Sequence, residues 1–437
     1  MNTTESAAGK SGERLRLLFC DHLNLARGKY LPASKIGDGA SRFSQAVFAL
    51  TYGKDLIPAP GSKMLEGCPD LDAVYRAADI RQGWEPRTRV VIADLHEASG
   101  EPLALCPRQL LKRTVAEWQA TGYGAKVGLE LEAYAFVRDA DGRLVPYETP
   151  HAYVYSTSRL ADPRGFCDAI WDRAAAAGFN LECMTSEFDA PQFEFTLVYD
   201  DALRAVDDAF LFRLMAREVA LEHGVILTFM PKPLAKKCGT GLHVNFSFTD
   251  AKGRNVIADA PGLAGISPLA RACIAGLLHH HAGMAALVAP TVDSYNRLTP
   301  GSMSGYWCNW GIDHRGVTTR VSAQLGAKAR IEHRMGDGAA NPYVLVATVL
   351  QAARLGVTHQ YPLPPAESGD CFAHADATGS VPLNLAAALD ALSADTALRS
   401  AVGETLVDNL IAIKRAELKE TAGLEGEALR DYYLHYI

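Results

Sequence analysis

No two of the nine cysteines form a C-x-x-C pair, so the chain carries neither a zinc ribbon nor the disulfide framework of a small secreted scaffold. The thiols from Cys20 to Cys371 read as reduced and mostly buried. Positive charge is not in surplus either. The formal net charge is −7, which leaves no electrostatic footprint for nucleic acid or an anionic membrane. Long apolar runs are missing: the most lipid-like stretch, residues 267–292, is broken by Arg271 and by His279, His280 and His281, too polar for a bilayer span. The opening residues through Arg14 lack the apolar centre of a signal peptide, and the cytoplasm is the expected compartment. There is no G-x-x-x-x-G-K-[ST] phosphate loop, so any nucleotide has to be held by another device.

What is present is the composition of a folded chain. Of 437 residues, 48% are hydrophobic and 21% charged, and the length exceeds what one hydrophobic core usually spans. From Leu15 to about Leu105, short apolar runs are separated by Gly/Pro clusters such as residues 58–61 and 67–69, the pattern of a small strand-rich domain. Pro107 then opens a helical stripe through Ala120 with Leu110, Leu111, Val115 and Trp118 on one side, which puts a boundary near Cys106. The expected division is a disordered tail over residues 1–14, an N-terminal domain over 15–106 and a larger domain over 107–437. In the larger part, helical stretches over 164–177, 202–223, 268–288, 343–355 and 405–420 alternate with strands that are polar on one face. An α+β fold with an antiparallel sheet fits that pattern better than a buried parallel sheet.

Four strands carry the chemistry. In residues 127–137, alternation puts Val127, Leu129, Leu131, Ala133 and Ala135 on one face and Glu130 with Glu132 on the other, because strand side chains repeat with period two. In 191–197, Phe193, Phe195 and Leu197 alternate with Gln192, Glu194 and Thr196, and Glu187 stands just upstream. In 241–248, Leu242, Val244, Phe246 and Phe248 oppose His243, Asn245 and Ser247. In 329–335, Arg330, Glu332 and Arg334 oppose Ala329, Ile331, His333 and Met335. Any one of these, taken singly, is an ordinary amphipathic strand. Together they differ from solvated faces, which mix Lys, Glu and Thr, because here glutamates, one histidine and arginines are segregated by strand.

Five glutamates around a common cavity repel one another, and burying even one unpaired carboxylate is strongly unfavourable. They require cations. Carboxylate oxygens with a single imidazole are hard ligands that suit Mg²⁺ or Mn²⁺, with two or three ions balancing the charge. Such ions beside arginines are the equipment for phosphoryl transfer, where the protein mainly positions and neutralises phosphate oxygens. The tract His279, His280, His281 does not make one facial metal site, because consecutive helix positions point in different directions. It reads as helix packing or surface.

These residues resemble the glutamine synthetase family, from about Leu15 to the end of the chain. The resemblance is carried by Gly128-Leu-Glu-Leu-Glu132, the segment from Glu187 through Gln192-Phe-Glu-Phe195, Thr228-Phe-Met-Pro-Lys-Pro233 and Gly239-Thr-Gly-Leu-His243. It continues in the flap-like Ser294-Tyr-Asn-Arg-Leu-Thr-Pro-Gly301 and in Ala329-Arg-Ile-Glu-His-Arg334 with Ala339-Ala-Asn-Pro-Tyr343. The resemblance implies a β-grasp-like N-terminal domain, a catalytic antiparallel sheet flanked by helices, and a homododecamer of two hexameric rings. It implies Glu132, Glu187 and Glu194 as ligands of the ion nearer glutamate, and Glu130, His243 and Glu332 as ligands of the ion beside the ATP phosphates. Glu182, Tyr199, Asn245, Ser247, Lys328 and Arg330 match nucleotide-contacting positions. Gly239, Arg297 and Arg334 match contacts to glutamate, and Arg315 and Arg320 match contacts to the transferring phosphate. The implied reaction is attack of the glutamate γ-carboxylate on ATP, giving γ-glutamyl phosphate and ADP, followed by attack of an amine that expels phosphate.

The chain departs from that pattern at the flap. Ammonia-using members of the family carry a glutamate a few residues beyond the position of Arg297, and here the residue is Met303. A thioether neither holds a cation by charge nor takes its proton, but packs against an alkyl chain, so Met303 counts as substrate-binding and points to a bulkier, partly apolar amine. Residues 48–53 offer no aspartate of the kind ammonia-using members place there, and Cys238 stands where many relatives have an asparagine that seats glutamate. Two other readings remain open at this point: a glutamine synthetase that uses ammonia, and a catalytically silent member of the family acting as a scaffold.

Overall fold

The computed structural model describes residues 12–149, 151–258, 265–324, 326–371 and 379–437. Residues 1–11 of the expected tail lie outside the described residues, and a strand begins at Arg14. That strand, Arg14–Cys20, pairs antiparallel with Ala26–Pro32 and parallel with Thr88–Ile92. Its alternation divides its side chains between two cores. Leu15, Leu17 and Phe19 join Phe48, Leu71, Val91 and Leu95 in a small cluster, whereas Leu18 and Cys20 belong to the main core. A three-stranded sheet (Gly39–Ser44, Asp70–Tyr75, Asp94–His96) contributes Leu71, Ala73, Tyr75 and Leu95 to the small cluster, and Leu103, Leu105 and Cys106 join it from beyond the sheet.

The hub of the molecule is the strand Gly124–Arg138. Its odd-numbered positions Val127, Leu129, Leu131, Ala133 and Ala135 are all buried in the main core. One edge of it pairs antiparallel with Gln192–Leu197, which pairs in turn with Leu181–Ser186. The other edge pairs with Leu242–Thr249, followed by Ile331–His333, Thr319–Val321 and Trp310–Ile312. Every pairing along this path is antiparallel except that of Trp310–Ile312 with Thr319–Val321. The class is α+β.

Helices cover the apolar face. Pro107–Ala120 runs over the expected residues, with proline at its first turn, where the missing N–H is harmless. Its Trp118 ring stacks on Phe248 at 4.0 Å between centroids, and its indole N–H donates to the Leu350 carbonyl at 3.0 Å. Pro342–His359 is almost wholly buried, and the Asn341 side chain accepts from the Tyr343 and Val344 amides at its start. The stretch expected as one helix over 268–288 is two, Pro268–His279 and His281–Val288, meeting at His280. Helices Leu385–Ala394, Thr396–Val402 and Gly426–Leu434 had no counterpart in the sequence reading. Each is short, and periodicity over so few residues is a weak signal. Among the described residues, no helix is long and apolar enough to cross a membrane.

Candidate active site

Register decides which carboxylates meet. Across the hub strand, Glu132 lies opposite Glu194 on one side, and Glu130 lies opposite His243 on the other. One strand further out, Asn245 faces Glu332, and Glu332 faces Arg320. The polar faces of consecutive strands thus form one continuous surface. Glu187 joins it from the turn that follows Leu181–Ser186.

The six acid and imidazole side chains fall into two groups, each with donor atoms within 4.8 Å of one another: Glu130, His243 and Glu332 in one, Glu132, Glu187 and Glu194 in the other. His243 sits between them. Its Nδ1 is 3.1 Å from Glu130 and 3.7 Å from Glu332, and its Nε2 is 3.6 Å from Glu132. The ring fits because residue 241 is glycine: a Cβ there would come within 2.5 Å of His243 Nε2. The Gly241 amide is therefore free to approach, and it donates to Glu132 Oε2 at 2.8 Å.

The first group is neutralised by the protein. Arg320 donates to Glu332 at 2.9 Å and to Asp313 at 2.6 Å. Arg334 donates to the other oxygen of Glu332, and Asn245 donates to Glu130 at 2.9 Å while accepting from Arg330. Burial works against the ionised forms, but the hydrogen bond and charge of His243 outweigh it at Glu130, and Arg334 with His243 outweighs it at Glu332. Both carboxyls are held below the ordinary range.

The second group has no cation of its own within the triad. Burial, followed by the neighbouring carboxylates, pushes Glu194 up, and burial with the charge of Glu132 pushes Glu187 up. The partners present are neutral: Gln192 donates to Glu132 at 3.1 Å and to the Gly239 carbonyl at 2.9 Å, and the Phe188 amide donates to Glu187 at 2.9 Å. Three carboxylates compressed together, with neutral hydrogen-bond donors and only the edge of the shared His243 ring 3.6 Å from Glu132, form a binding set for a hard divalent ion. Those are residues that fit such an ion. The first group fits one as well, with the imidazole as its single nitrogen donor.

The remaining residues singled out from the sequence divide into those gathered here and those at the margin. Asn245, Arg320, Arg330 and Arg334 are in the network just described. Arg297 is buried, and its guanidinium donates to the Met335 carbonyl at 2.7 Å and the Arg334 carbonyl at 3.0 Å. In this conformation it braces the backbone. Gly239 lies beside the Arg297 side chain and accepts from Gln192. Ser247 is further along the His243 strand, and Tyr199 lies against Gly128. Glu182, Arg315 and Lys328 are exposed and outside both groups.

Several further residues adjoin the site. Gln192 was on the polar face of its strand and was legible there as a partner of the carboxylates. Asp313 was not legible, since it reaches Arg320 from a bend. Nor was Asp189, which accepts from the Cys238 amide in a loop without periodicity. The loop residues Tyr153 and Tyr155 are 71% and 70% exposed, and Phe188 beside Glu187 is 64% exposed. The Tyr155 amide donates to the Ser186 carbonyl at 2.9 Å, which brings that loop against the residue preceding Glu187. Met303 is 54% exposed, and its carbonyl accepts from Arg334 at 3.3 Å.

The glutamine synthetase catalytic-domain family matches residues 104–429. A glutamine synthetase of Halobacterium salinarum is 30% identical over 96% of this chain and 93% of its own length. A glutamate–isopropylamine ligase of a Pseudomonas species is 30% identical over 67% of this chain and 66% of its own. Among solved structures, a GmaS/ADP complex superposes with a TM-score of 0.82 at 29% identity, covering 97% of both chains.

Proposed function

The chain belongs to the glutamine synthetase family, and from that premise we propose that it joins the γ-carboxylate of glutamate to an organic amine larger than ammonia. The family's activity is ATP-dependent carbon–nitrogen ligation, and this chain is such a ligase. The observation that carries the choice of amine is Met303, a half-exposed thioether whose carbonyl is held by Arg334 beside Glu332. The exposed rings of Tyr153, Tyr155 and Phe188 at the Glu187 side favour the same reading, since aromatic faces receive alkyl chains and cationic nitrogens alike. A relative named for isopropylamine supports it.

In this reading, Glu130, His243 and Glu332 hold one divalent ion and Glu132, Glu187 and Glu194 another. Mg²⁺ or Mn²⁺ bound there would supply charge neutralisation for phosphate and carboxylate oxygens. Arg320, with Arg315, meets the transferring phosphoryl group, and Arg330 with Asn245, Glu182, Tyr199, Ser247 and Lys328 meets the nucleotide. Arg334 holds glutamate, with Gly239 and Arg297 shaping that end. The γ-carboxylate attacks the terminal phosphorus of ATP and ADP leaves. The amine, as its free base, then attacks the acyl carbon and phosphate leaves. A tail of apolar atoms stays against Met303. Assembly into a dodecamer and the division near Cys106 belong to the same reading.

A glutamine synthetase using ammonia is the second reading, favoured by the length over which the Halobacterium enzyme matches. The test is phosphate release from ATP and glutamate across a panel of amines that includes ammonia. The proposal expects a substituted amine to give the highest kcat/KM. Equal or better turnover with ammonia would remove it.

A further inference from the structure

The three consecutive histidines stand outside the two acid groups; His279 and His280 both meet Tyr361, and His281 turns to Tyr306. His279 stacks on Tyr361 with ring centroids 3.7 Å apart, and His280 Nδ1 pairs with Asp395 at 2.7 Å. His281, the first residue of its helix, is 2% exposed, and its Nε2 lies 3.3 Å from the Tyr306 carbonyl oxygen. A carbonyl only accepts, so Nε2 carries the proton and Nδ1 is bare. Nδ1 is buried without a hydrogen-bond partner, and burial pushes the imidazole down to about 4. The ring is therefore a neutral donor.

Tyr306 stands three residues beyond Met303. Between them Gly305, at φ +85°, lies so close to the Arg334–Met335 backbone that a Cβ would come within 2.8 Å of it. The same short segment is tied down on both sides. The Val381 amide also donates to the Tyr306 carbonyl at 2.9 Å, and the Cys308 thiol donates to the Leu278 carbonyl at 3.1 Å. The junction of the two helices thus grips the root of the segment whose tip is Met303.

We infer that His281 is a positioning residue for the amine step, fixing the Tyr306 carbonyl and thereby the seat of Met303 relative to Arg334 and Glu332. This rests on the reading that Met303 faces the amine. The acid groups that serve phosphoryl transfer stand on strands braced by Arg297, Arg320 and Arg334, so that step does not depend on His281.

His281→Leu removes the donor and keeps most of the bulk. His281→Gln returns an N–H near the position of Nε2. Hydrogen exchange in the folded full chain, free of substrates, should be about tenfold faster in the Leu variant over residues 299–308 and unchanged elsewhere, with the Gln variant close to wild type. In turnover, the Leu variant should raise KM for the best nucleophile about tenfold, leave KM for ATP unchanged, and release more phosphate per amide formed. The Gln variant should recover to within about twofold. Unchanged exchange over 299–308, or exchange raised throughout the chain, would overturn the positioning role. A KM unchanged for the nucleophile would overturn its link to the amine step. If wild type makes no amide with any amine while exchange still responds locally, the functional reading fails and the contact stands.

Discussion

The two acid groups sit on one sheet face and share His243, yet they are opposite in electrostatic design. Glu130 and Glu332 are surrounded by His243, Asn245, Arg320 and Arg334, and both are held below the ordinary carboxylate range. Glu187 and Glu194 are pushed up, first by burial and then by neighbouring carboxylates, Glu132 at Glu187 and Glu130 with Glu132 at Glu194. The difference shows two ways of keeping carboxylates in a folded interior. One compensates them with the protein's own cations, and the other leaves them uncompensated until a cation arrives from solution. The proposed ligase, holding phosphate beside a metal, needs both: arginines that can turn to phosphate oxygens, and acids whose hydrogen-bond partners are neutral.

The largest effect that tests this contrast is on catalysis. Glu132→Ala removes the uncompensated group's most enclosed acid, and ligation should fall by at least about 10³-fold, with the size of the assembly unchanged on a sizing column. Undiminished turnover would break the assignment. Next, Glu332→Gln leaves Arg320 and Arg334 facing a neutral amide, and the folded chain should lose about 3 kcal/mol in denaturant unfolding. Glu194→Gln, in contrast, relieves repulsion and should leave the metal-free chain as stable or slightly more so. Equal losses in both variants would erase the distinction.

The third test uses pH. Groups raised on folding contribute stability that is full below their ordinary value and is lost as pH rises through the raised one, and this is the case of Glu187 and Glu194. Lowered groups, Glu130 and Glu332, contribute stability above the ordinary value and lose it as pH falls. Relative to Glu194→Gln, which shares the other buried titrating groups such as Asp293, Asp337, His281 and His333, the Tm of wild type held in EDTA should therefore sag as pH climbs from the ordinary carboxylate range toward neutrality, and Mg²⁺ should reverse the sag. At a hundred times its Kd, the ion stabilises by about 2.7 kcal/mol. Calorimetry with and without Mg²⁺ reads this directly, and a Mg²⁺ effect that is independent of pH would count against it. The smallest effect belongs to the flap. Met303→Glu brings an acid toward the compensated side, and the kcat/KM ratio of ammonia to the best amine should rise about tenfold, or about 1.4 kcal/mol. No change in that ratio would detach Met303 from the amine.

Much of the acid surface was legible before any coordinates, because strand alternation is a strict rule: Val127 and Leu129 inward put Glu130 and Glu132 outward. The division of the helical stretch at His280 was not, since nothing in an apolar run of helix formers marks where two helices meet. Asp313, Asp189 and the Tyr153–Phe188 rim were missed for a related reason. They act from loops, where side-chain direction has no period to read.

The sequence alone determined the faces, the residue types and the hard-donor chemistry of this site, because each follows from local geometry and from the charge on a side chain. Only the tertiary structure decided which carboxylate answers to which cation. That choice depends on strand order and register, which bring Glu332 to Arg320 across a sheet and leave Glu194 among acids. Distance between segments far apart in the chain is a property of the fold, and electrostatic energy depends on distance.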